Sequence, residues 1–103
     1  MNILLIGGNG FVGKEFIRLA ANRNINISYL SRNKIKEKEF ESINWIQGDI
    51  FSINDIHIEE KFDIAIHLVG TIKNKQLYKK LNTESVAKSL QLCYKYNINK
   101  LVY

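Results

Sequence analysis

The sequence has no proline and a single cysteine among its 103 residues. Cys93 therefore cannot form a disulfide within the chain, and it lies on the apolar face of a predicted helix, where a thiol acts as a small buried hydrophobe. No segment approaches the roughly 18 uncharged apolar residues that a membrane span needs. The N-terminus also lacks the basic start and the long apolar core of a signal peptide. We therefore expect a cytoplasmic protein with no disulfide framework and no membrane partner.

The formal charge of +5 is the one feature of the composition that suggests a nucleic-acid partner. The basic residues do not form a stripe, however, because they are scattered over several predicted elements. Examples are Lys14, Arg18, Lys34, Lys61, Lys79, Lys88 and Lys100. Nucleic-acid binding is therefore not expected, and 46% hydrophobic with 24% charged residues is typical of an ordinary globular domain.

Short apolar segments alternate along the chain with segments of helical periodicity. Strands are predicted at 2–6, 25–30, 43–47, 64–69 and from residue 100 onward. Helices are predicted at 11–23 and 75–97, the second with a kink or a break, and short helices are expected within 31–41 and 52–60. This alternation, without a proline or a hairpin signal, indicates βαβ units. We predict an α/β fold: a three-layer, Rossmann-type, doubly wound parallel sheet of about five strands in the order 3-2-1-4-5.

Glycines three residues apart open the first predicted helix, in the segment GGNGFVG. Gly7, Gly10 and Gly13 match G-x-x-G-x-x-G, whereas Gly8 with the last two matches G-x-G-x-x-G, so spacing alone leaves both motifs open. In either motif the first glycine permits a tight turn, Gly10 lets the backbone approach a pyrophosphate, and Gly13 lets the helix pack closely on the strand. A plain turn would also explain the glycines, but the preceding strand and the following helix favour dinucleotide binding at the helix N-terminus.

Ser31 and Arg32 follow the second predicted strand, at a position that distinguishes nicotinamide cofactors. An acidic residue there binds the ribose 2′-hydroxyl of NAD(H), whereas an arginine accommodates the 2′-phosphate of NADP(H). Here the serine offers a hydroxyl and the arginine a bidentate donor, and the first acidic residue after them is Glu37. The pattern favours NADP(H) as cofactor, with NAD(H) and an ordinary surface arginine as the alternative.

Four segments carry a resemblance that covers essentially the whole chain. They are LLIGGNGFVG, GDI at 48–50, IHLVG at 66–70 and LNTESVAKSLQLCYKYNINKLVY at 81–103. In order and spacing they resemble the N-terminal half of an extended or atypical short-chain dehydrogenase/reductase, of the NAD-dependent epimerase/dehydratase group. The resemblance implies a Rossmann domain that binds a nicotinamide dinucleotide.

The resemblance also assigns roles to residues outside the glycine-rich turn. Asp49 would contact the adenine ring, the end of the fourth strand would line the cofactor, and Asn82 takes the position of an asparagine that steadies the active site. The predicted cofactor-binding set is Gly7, Gly10, Phe11, Val12, Gly13, Ser31, Arg32, Asp49, Ile50, Leu68, Val69, Gly70 and Asn82. No metal ligand is predicted.

The catalytic residues of the resembling family are expected beyond this chain. There the fifth strand leads into a serine, and a Tyr-x-x-x-Lys pair follows, so both would lie after Tyr103. Hydride transfer at a carbonyl or alcohol needs such a tuned proton donor, and we therefore predict no catalytic residue here. Residues 1–103 are interpreted as one truncated cofactor-binding domain. The alternatives are a fragment of an active oxidoreductase or epimerase/dehydratase, and a non-catalytic structural or nucleic-acid-associated protein.

Two further expectations concern the fourth and fifth strands. His67 lies within a buried strand, and we interpret it as a hydrogen-bonded core residue rather than a catalytic base, while neither it nor His57 belongs to a cluster of metal ligands. Four apolar residues are expected beside incompletely covered surface and an open sheet edge: Ile64, Ile66, Leu101 and Val102. Self-association into a homo-oligomer, or marginal stability, is the expected consequence.

Overall fold

The fold is built on a five-stranded parallel sheet. The computed structural model describes residues 1–69 and 80–103. Its strands are β1 (Asn2–Ile6), β2 (Asn26–Ser31), β3 (Asn44–Gln47), β4 (Ile64–His67) and β5 (Leu101–Val102). Their order is β3-β2-β1-β4-β5, and every adjacent pair is parallel. The predicted α/β fold and strand order are therefore confirmed.

Within residues 1–69 and 80–103, two α-helices cover opposite faces of the sheet and complete its three layers. Helix α1 (Phe11–Ala21) buries Ile17 and Ala20 on one face, and helix α2 (Ser85–Lys95) buries Leu92 and Cys93 on the other. The predicted burial of Cys93 is thus confirmed, and this burial raises the pKa of its thiol. Each helix contributes to a separate apolar core.

Strand β1 lies at the centre of the sheet and contributes to both cores. Ile3 and Leu5 pack in the core under α1, whereas Leu4 and Ile6 pack in the core under α2. Successive side chains of a strand point to opposite faces, so a continuous apolar run is what a strand covered on both faces requires. The strand beside it, β4, ends at His67, two residues earlier than predicted.

The segment between β3 and β4 differs from the expected helix within 52–60. Only a single 3₁₀ turn forms there, at Ile53–Asp55. Of the apolar residues that follow, Ile56 and Ile58 are buried at alternate positions, which is the spacing of an extended chain lying on a core, and Phe62 is buried further along. Likewise, the segment 31–41 contains only the 3₁₀ turn Lys38–Phe40.

The described part of the helix predicted at 75–97 is helical from Lys80 to Lys95, with a change of helix type within it. A π-helical turn, Lys80–Glu84, precedes α2, while the first part of the predicted helix, 75–79, lies outside the described residues. Helix α1 ends at Ala21 rather than at residue 23, and Asn24 adopts a φ of 54°, a left-handed conformation that a helix cannot continue through.

Candidate functional site

The carboxyl ends of four parallel strands meet around one cleft of about 440 Å³. It lies where the strand order reverses, between β1 and β4, which is where open α/β sheets bind ligands. Its lining residues follow the four strands in turn: Ile6, Gly7, Asn9, Gly10, Leu30, Ser31, Arg32, Asn33, Gly48, Asp49, Ile50, Phe51, Leu68 and Val69. The volume is within the usual range of small-molecule sites.

The glycine-rich turn after β1 forms the floor of the cleft, and Gly7 makes the turn. Gly7 has a φ of +83°, and its N–H donates a hydrogen bond to the Leu30 carbonyl at 2.8 Å. A Cβ at this position would lie 2.6 Å from Cγ2 of Val69. The positive φ requires glycine at position 7, whereas Gly8 is required only by close contacts, its Cβ position lying 2.9 Å from Cβ of Tyr29.

Gly10 is the N-cap of α1 and differs from the other glycines of the turn. Its φ of −85° and ψ of −178° are accessible to any residue, and a Cβ added there would meet no atom of residues 1–69 or 80–103 within 4 Å. At Gly13, by contrast, a Cβ would lie 2.7 Å from the Gly8 Cα and closer still to the Gly8 carbonyl oxygen. The fold therefore requires glycine at position 13 but not at position 10, where the open space belongs to the cleft.

The N-terminus of α1 is suited to an anion. Gly10 makes no side-chain cap, and the first turn contains no acidic residue. The first helical hydrogen bond runs from the Lys14 N–H to the Gly10 carbonyl at 3.0 Å, so the preceding N–H groups have no partner inside the helix. These donors and the positive end of the helix dipole face the turn that lines the cleft.

Ser31 ends β2 and is held by contacts inside the protein. Its hydroxyl donates to the Asn33 carbonyl at 2.7 Å and accepts from Trp45 Nε1 at 3.1 Å. The same indole N–H also lies 3.2 Å from the Ser31 carbonyl oxygen. Since a hydroxyl has one hydrogen, Ser31 would have to release Asn33 before donating to a ligand.

Arg32 is exposed at the rim of the cleft, and the first two acidic residues after it in the chain, Glu37 and Glu39, are paired with other cations. Lys14 Nζ lies 3.1 Å from a Glu37 carboxylate oxygen, and Arg18 donates to Glu39 at 2.6 Å. These hydrogen bonds lower the pKa of Glu37 and of Glu39. Within residues 1–69 and 80–103, Arg32 forms no ion pair, which leaves its guanidinium available to an anion at this rim.

The loop after β3 presents a carboxylate and an apolar side chain to the cleft. One carboxylate oxygen of Asp49 accepts a hydrogen bond from the Phe51 N–H at 2.9 Å, and the Ser52 N–H donates to the Asp49 carbonyl at 2.8 Å. These bonds fix the turn. Ile50, 5% exposed, anchors the loop in the core under α2.

The predicted site residues divide into three groups. Those that line the cleft are Gly7, Gly10, Ser31, Arg32, Asp49, Ile50, Leu68 and Val69. Those that the structure places outside the lining are Phe11, Val12, Gly13 and Asn82; Phe11 and Val12 are exposed on α1, and Asn82 is half-buried in the π turn. Gly70 lies outside the described residues.

Sequence analysis missed several lining residues, and the turn motif offered a signal for one of them. Asn9 lies inside the glycine-rich segment, and Asn33 follows Arg32 directly, so both amides border predicted phosphate contacts. Leu30, Gly48 and Phe51 line the cleft because they flank the predicted residues at the strand ends. Polar residues next to a strand end thus indicate positions that line the cleft, even where they belong to no motif.

The chain contains one Tyr-x-x-x-Lys spacing, from Tyr96 to Lys100. These residues lie in the connection from α2 to β5, before the amino end of that strand, whereas the cleft lies at the carboxyl ends. The Tyr96 hydroxyl donates to the Ile56 carbonyl at 2.8 Å, and neither residue lines the cleft. This pair is structural, and the catalytic pair implied by the resemblance is a different one.

His67 is buried and hydrogen-bonded, as predicted. It is 8% exposed, with Nδ1 2.7 Å from Ser89 Oγ and Nε2 3.1 Å from Ser85 Oγ. Burial lowers the pKa of the ring, and the Val69 backbone partly opposes that shift. Within the described residues, no group of three His, Cys, Asp or Glu side chains is arranged to hold a metal ion.

The lowered pKa of His67 predicts a pH-dependent stability. The unfolded chain takes up a proton near the ordinary value of 6.5 while the folded ring stays neutral, so the free energy of unfolding should fall as the pH drops below 6.5 and level off below the folded pKa. Urea denaturation between pH 7.5 and pH 5 is the measurement, at roughly half-unit steps. The lowered pKa values of Glu37 and Glu39 affect the free energy of unfolding mainly below their ordinary pKa of 4.5, under the lower end of this pH range.

The matched variant for this measurement is His67→Gln, which cannot titrate. Its free energy of unfolding should be lower than that of the wild type at pH 7.5, but it should change less between pH 7.5 and pH 5. The same slope in both proteins would contradict the assignment of this titration to His67.

Comparison with known proteins relates the chain to one family. The model described as the NAD dependent epimerase/dehydratase family matches residues 3–103. An uncharacterized chloroplastic protein of Arabidopsis thaliana is 22% identical over 103 residues, covering 97% of this chain and 35% of that protein. The decarboxylating sterol-4-alpha-carboxylate 3-dehydrogenase erg26 of Schizosaccharomyces pombe is 28% identical over 112 residues, covering 100% of this chain and 33% of that protein.

A solved structure shows a similar fold. The UDP-glucose 4-epimerase of Thermus thermophilus, in complex with NAD, matches with a TM-score of 0.73 at 17% identity, covering 100% of this chain and 37% of that one. The chain therefore spans about a third of the length of these proteins. In the parts of the chain that the structure describes, no helix is long and apolar enough to cross a membrane.

Proposed function

Because the chain belongs to the NAD-dependent epimerase/dehydratase family, we propose that its cleft binds the adenosine diphosphate half of a nicotinamide dinucleotide. Gly10 carries the proposal. The fold itself does not need a glycine there, since a Cβ would meet no atom of the described residues within 4 Å. A pyrophosphate lying against the turn, by contrast, needs a residue without a side chain at this position. The relative from Thermus thermophilus in complex with NAD supports the choice of ligand class.

Each strand end has a part in the proposed complex. The pyrophosphate lies against the turn from Gly7 to Gly10 and takes hydrogen bonds from the N–H groups that open α1. Arg32 lies at the ribose of the adenosine, and Asp49 with Ile50 holds the adenine ring. Leu68 and Val69 form the wall opposite β2. Phe11, Val12 and Gly13 act through the backbone of the first helical turn.

We propose NADP(H) as the preferred cofactor, with NAD(H) as the weaker ligand. Arg32 supports this preference because its guanidinium is unpaired in the described parts of the chain and presents a bidentate donor at the rim. Glu37 and Glu39 are engaged by Lys14 and Arg18 and so do not offer a free carboxylate for the ribose 2′-hydroxyl. Ser31 contributes mainly by fixing the end of β2 through Trp45.

When bound, a nicotinamide dinucleotide would donate or accept the hydride, and the role of this chain would be to bind and orient that cofactor. We propose that the chain is the cofactor-binding part of an oxidoreductase or epimerase/dehydratase acting at a carbonyl or alcohol of a sugar nucleotide or sterol-like substrate. The relatives support this, since one is a sterol dehydrogenase and another a UDP-glucose 4-epimerase. Asn82 would steady the reacting groups from the π turn. A serine and a Tyr-x-x-x-Lys pair encoded in frame after Tyr103 would distinguish an active protein from a non-catalytic one.

Fluorescence titration with NADPH and, in parallel, NADH tests the proposed cofactor. We expect saturable binding of both, with NADPH tighter, and much weaker binding of both to Gly10→Val. The single tryptophan, Trp45, reports the same event independently, because its indole N–H contacts Ser31 at the edge of the cleft. Absence of saturable binding by the folded wild-type chain would overturn the proposed function.

Self-association is a further expected property. Apolar side chains are incompletely covered on the α1 side of β4 and β5, and Val102, on the edge strand, is 45% exposed. Ile64 and Ile66 are only half-buried.

Sedimentation velocity should therefore show a mass that rises with protein concentration, and Val102→Lys should shift that mass toward the monomer. Leu90→Lys, on the outer face of α2, is the matched control and should have no such effect. A wild-type monomer with a cooperative, high-temperature unfolding transition would contradict the expectation.

A further inference from the structure

Three buried polar side chains join α2 to the end of β4, beside the cleft rather than in it. His67 ends β4, and Ser85 and Ser89, both 0% exposed, lie one helical turn apart on α2. The ring nitrogens lie 2.7 Å from Ser89 Oγ and 3.1 Å from Ser85 Oγ. The ring therefore cannot turn without breaking a buried hydrogen bond.

Stability alone does not explain a polar cluster at this helix–sheet contact. The neighbouring buried side chains Ala65, Leu92 and Cys93 are apolar, and burying polar groups among them is unfavourable unless every group is hydrogen-bonded. Even a satisfied buried hydrogen bond adds only modest net stability. A buried hydrogen bond fixes the orientation of the two groups that it joins, which apolar packing does not, because the hydrophobic effect is non-directional.

The orientation of the His67 ring matters because the next two residues, Leu68 and Val69, form a wall of the cleft. The Leu68 N–H donates to the Ile6 carbonyl at 2.9 Å, and Val69 Cγ2 lies 2.6 Å from where a Cβ on Gly7 would be. Contacts thus run without a gap from α2 through His67 and the wall to the glycine-rich turn.

We propose that His67, held by Ser85 and Ser89, is a positioning residue that sets the Leu68–Val69 wall against the glycine-rich turn and thereby supports cofactor binding. The link to binding rests on the proposed function. Loss of the Ser89 hydroxyl leaves His67 Nδ1 without its hydrogen-bond partner. The ring and the wall then shift, although every residue that lines the cleft is unchanged.

The test compares Ser89→Ala with Cys93→Ala. Both changes shorten a buried side chain on the same face of α2, one turn apart, but of these two residues Ser89 is the one hydrogen-bonded to His67. Both should lower Tm. Ser89→Ala should raise the Kd for NADPH roughly tenfold, in line with the loss of one buried hydrogen bond, whereas Cys93→Ala should change it by less than about twofold. Equal changes in Kd for the two variants would overturn the proposal.

Two further readouts separate positioning from a general loss of stability. His67→Asn retains a polar atom near the Ser89 hydroxyl and should bind NADPH more tightly than His67→Leu. Hydrogen exchange in the absence of cofactor should be faster at the Leu68 amide in Ser89→Ala than in Cys93→Ala, relative to the amides of β1. If wild-type protein fails to bind NADPH, the proposed function fails; the exchange rate of Leu68 then still decides whether His67 positions the wall, and equal rates would refute it.

Discussion

Adding one methyl group at Gly13 is expected to destabilise the fold strongly, whereas the same addition at Gly10 leaves the fold intact and impairs cofactor binding. At Gly13 the Cβ would lie 2.7 Å from the Gly8 Cα and closer to its carbonyl oxygen. Both are backbone atoms, so α1 must move away from the turn. Overpacking of this kind costs roughly 1–3 kcal/mol, or about 5–20 °C in Tm for a domain of this size.

At Gly10 the added methyl group enters the cleft, in space that no atom of the described residues occupies. The φ of −85° and ψ of −178° suit any residue, so the main effect on stability is the poorer N-cap of alanine, at most about 1 kcal/mol. The methyl group would occupy the approach of the pyrophosphate, and the Kd for NADPH should rise at least about tenfold, equal to about 1.4 kcal/mol. Gly10→Val should have a larger effect of the same kind.

Thermal unfolding and NADPH titration of the two alanine variants check this pair. The expected pattern is a large loss of Tm for Gly13→Ala and a large loss of affinity, with little loss of Tm, for Gly10→Ala. Wild-type affinity in Gly10→Ala would show that no ligand approaches the turn at this residue. A wild-type Tm in Gly13→Ala would contradict the close packing of α1 on the turn.

Arg32→Ala should weaken NADPH binding by about 10- to 100-fold and leave NADH binding nearly unchanged. The reason is the loss of charge-assisted hydrogen bonds to the 2′-phosphate, each worth about 1.5–3 kcal/mol, and NADH has no such phosphate. Arg32→Asp should go further and favour NADH, because a carboxylate accepts hydrogen bonds from the ribose hydroxyls and repels the phosphate. The measurement is a parallel titration of each variant with both cofactors.

Arg23→Ala is the matched control for Arg32. It removes the same formal charge from an exposed arginine in the turn after α1, away from the cleft. Both affinities should stay close to those of the wild type, apart from a small change due to net charge. An equal loss of NADPH affinity in Arg23→Ala and Arg32→Ala would mean that general electrostatics, rather than a 2′-phosphate contact, sets the preference.

The parallel sheet was predictable because its causes are local. The apolar run of β1 requires a strand covered on both faces, and the alternation with helices requires parallel pairing, so Leu4 and Leu5 pack in opposite cores as their spacing demands. The glycine-rich turn and the residues after β2 and β3 then meet in space, because the carboxyl ends of parallel strands share one edge. Motif and topology together thus locate the cleft.

The remaining features depend on contacts between residues distant in sequence. Ser31 gives no sign in its own segment that the indole of Trp45, 14 residues away, will engage its hydroxyl. Tyr96 matches a catalytic spacing with Lys100, yet its hydroxyl binds the Ile56 carbonyl, 40 residues distant. The absence of a helix within 52–60 was visible in principle, since Ile56 and Ile58 have the spacing of a strand, but the polar residues between them obscured it.

Backbone NMR of the wild-type chain titrated with NADPH tests the central claim most directly, because it locates the ligand. We expect saturable shifts in the amides of the glycine-rich turn and the start of α1, at Arg32 and at Asp49, with the amides of the α2–β5 connection unaffected. NADH should shift the turn and Asp49 as well, but affect Arg32 less. Shifts confined to other surfaces, or none at all while the spectrum stays that of a folded protein, would contradict the assignment of the cleft as a dinucleotide site.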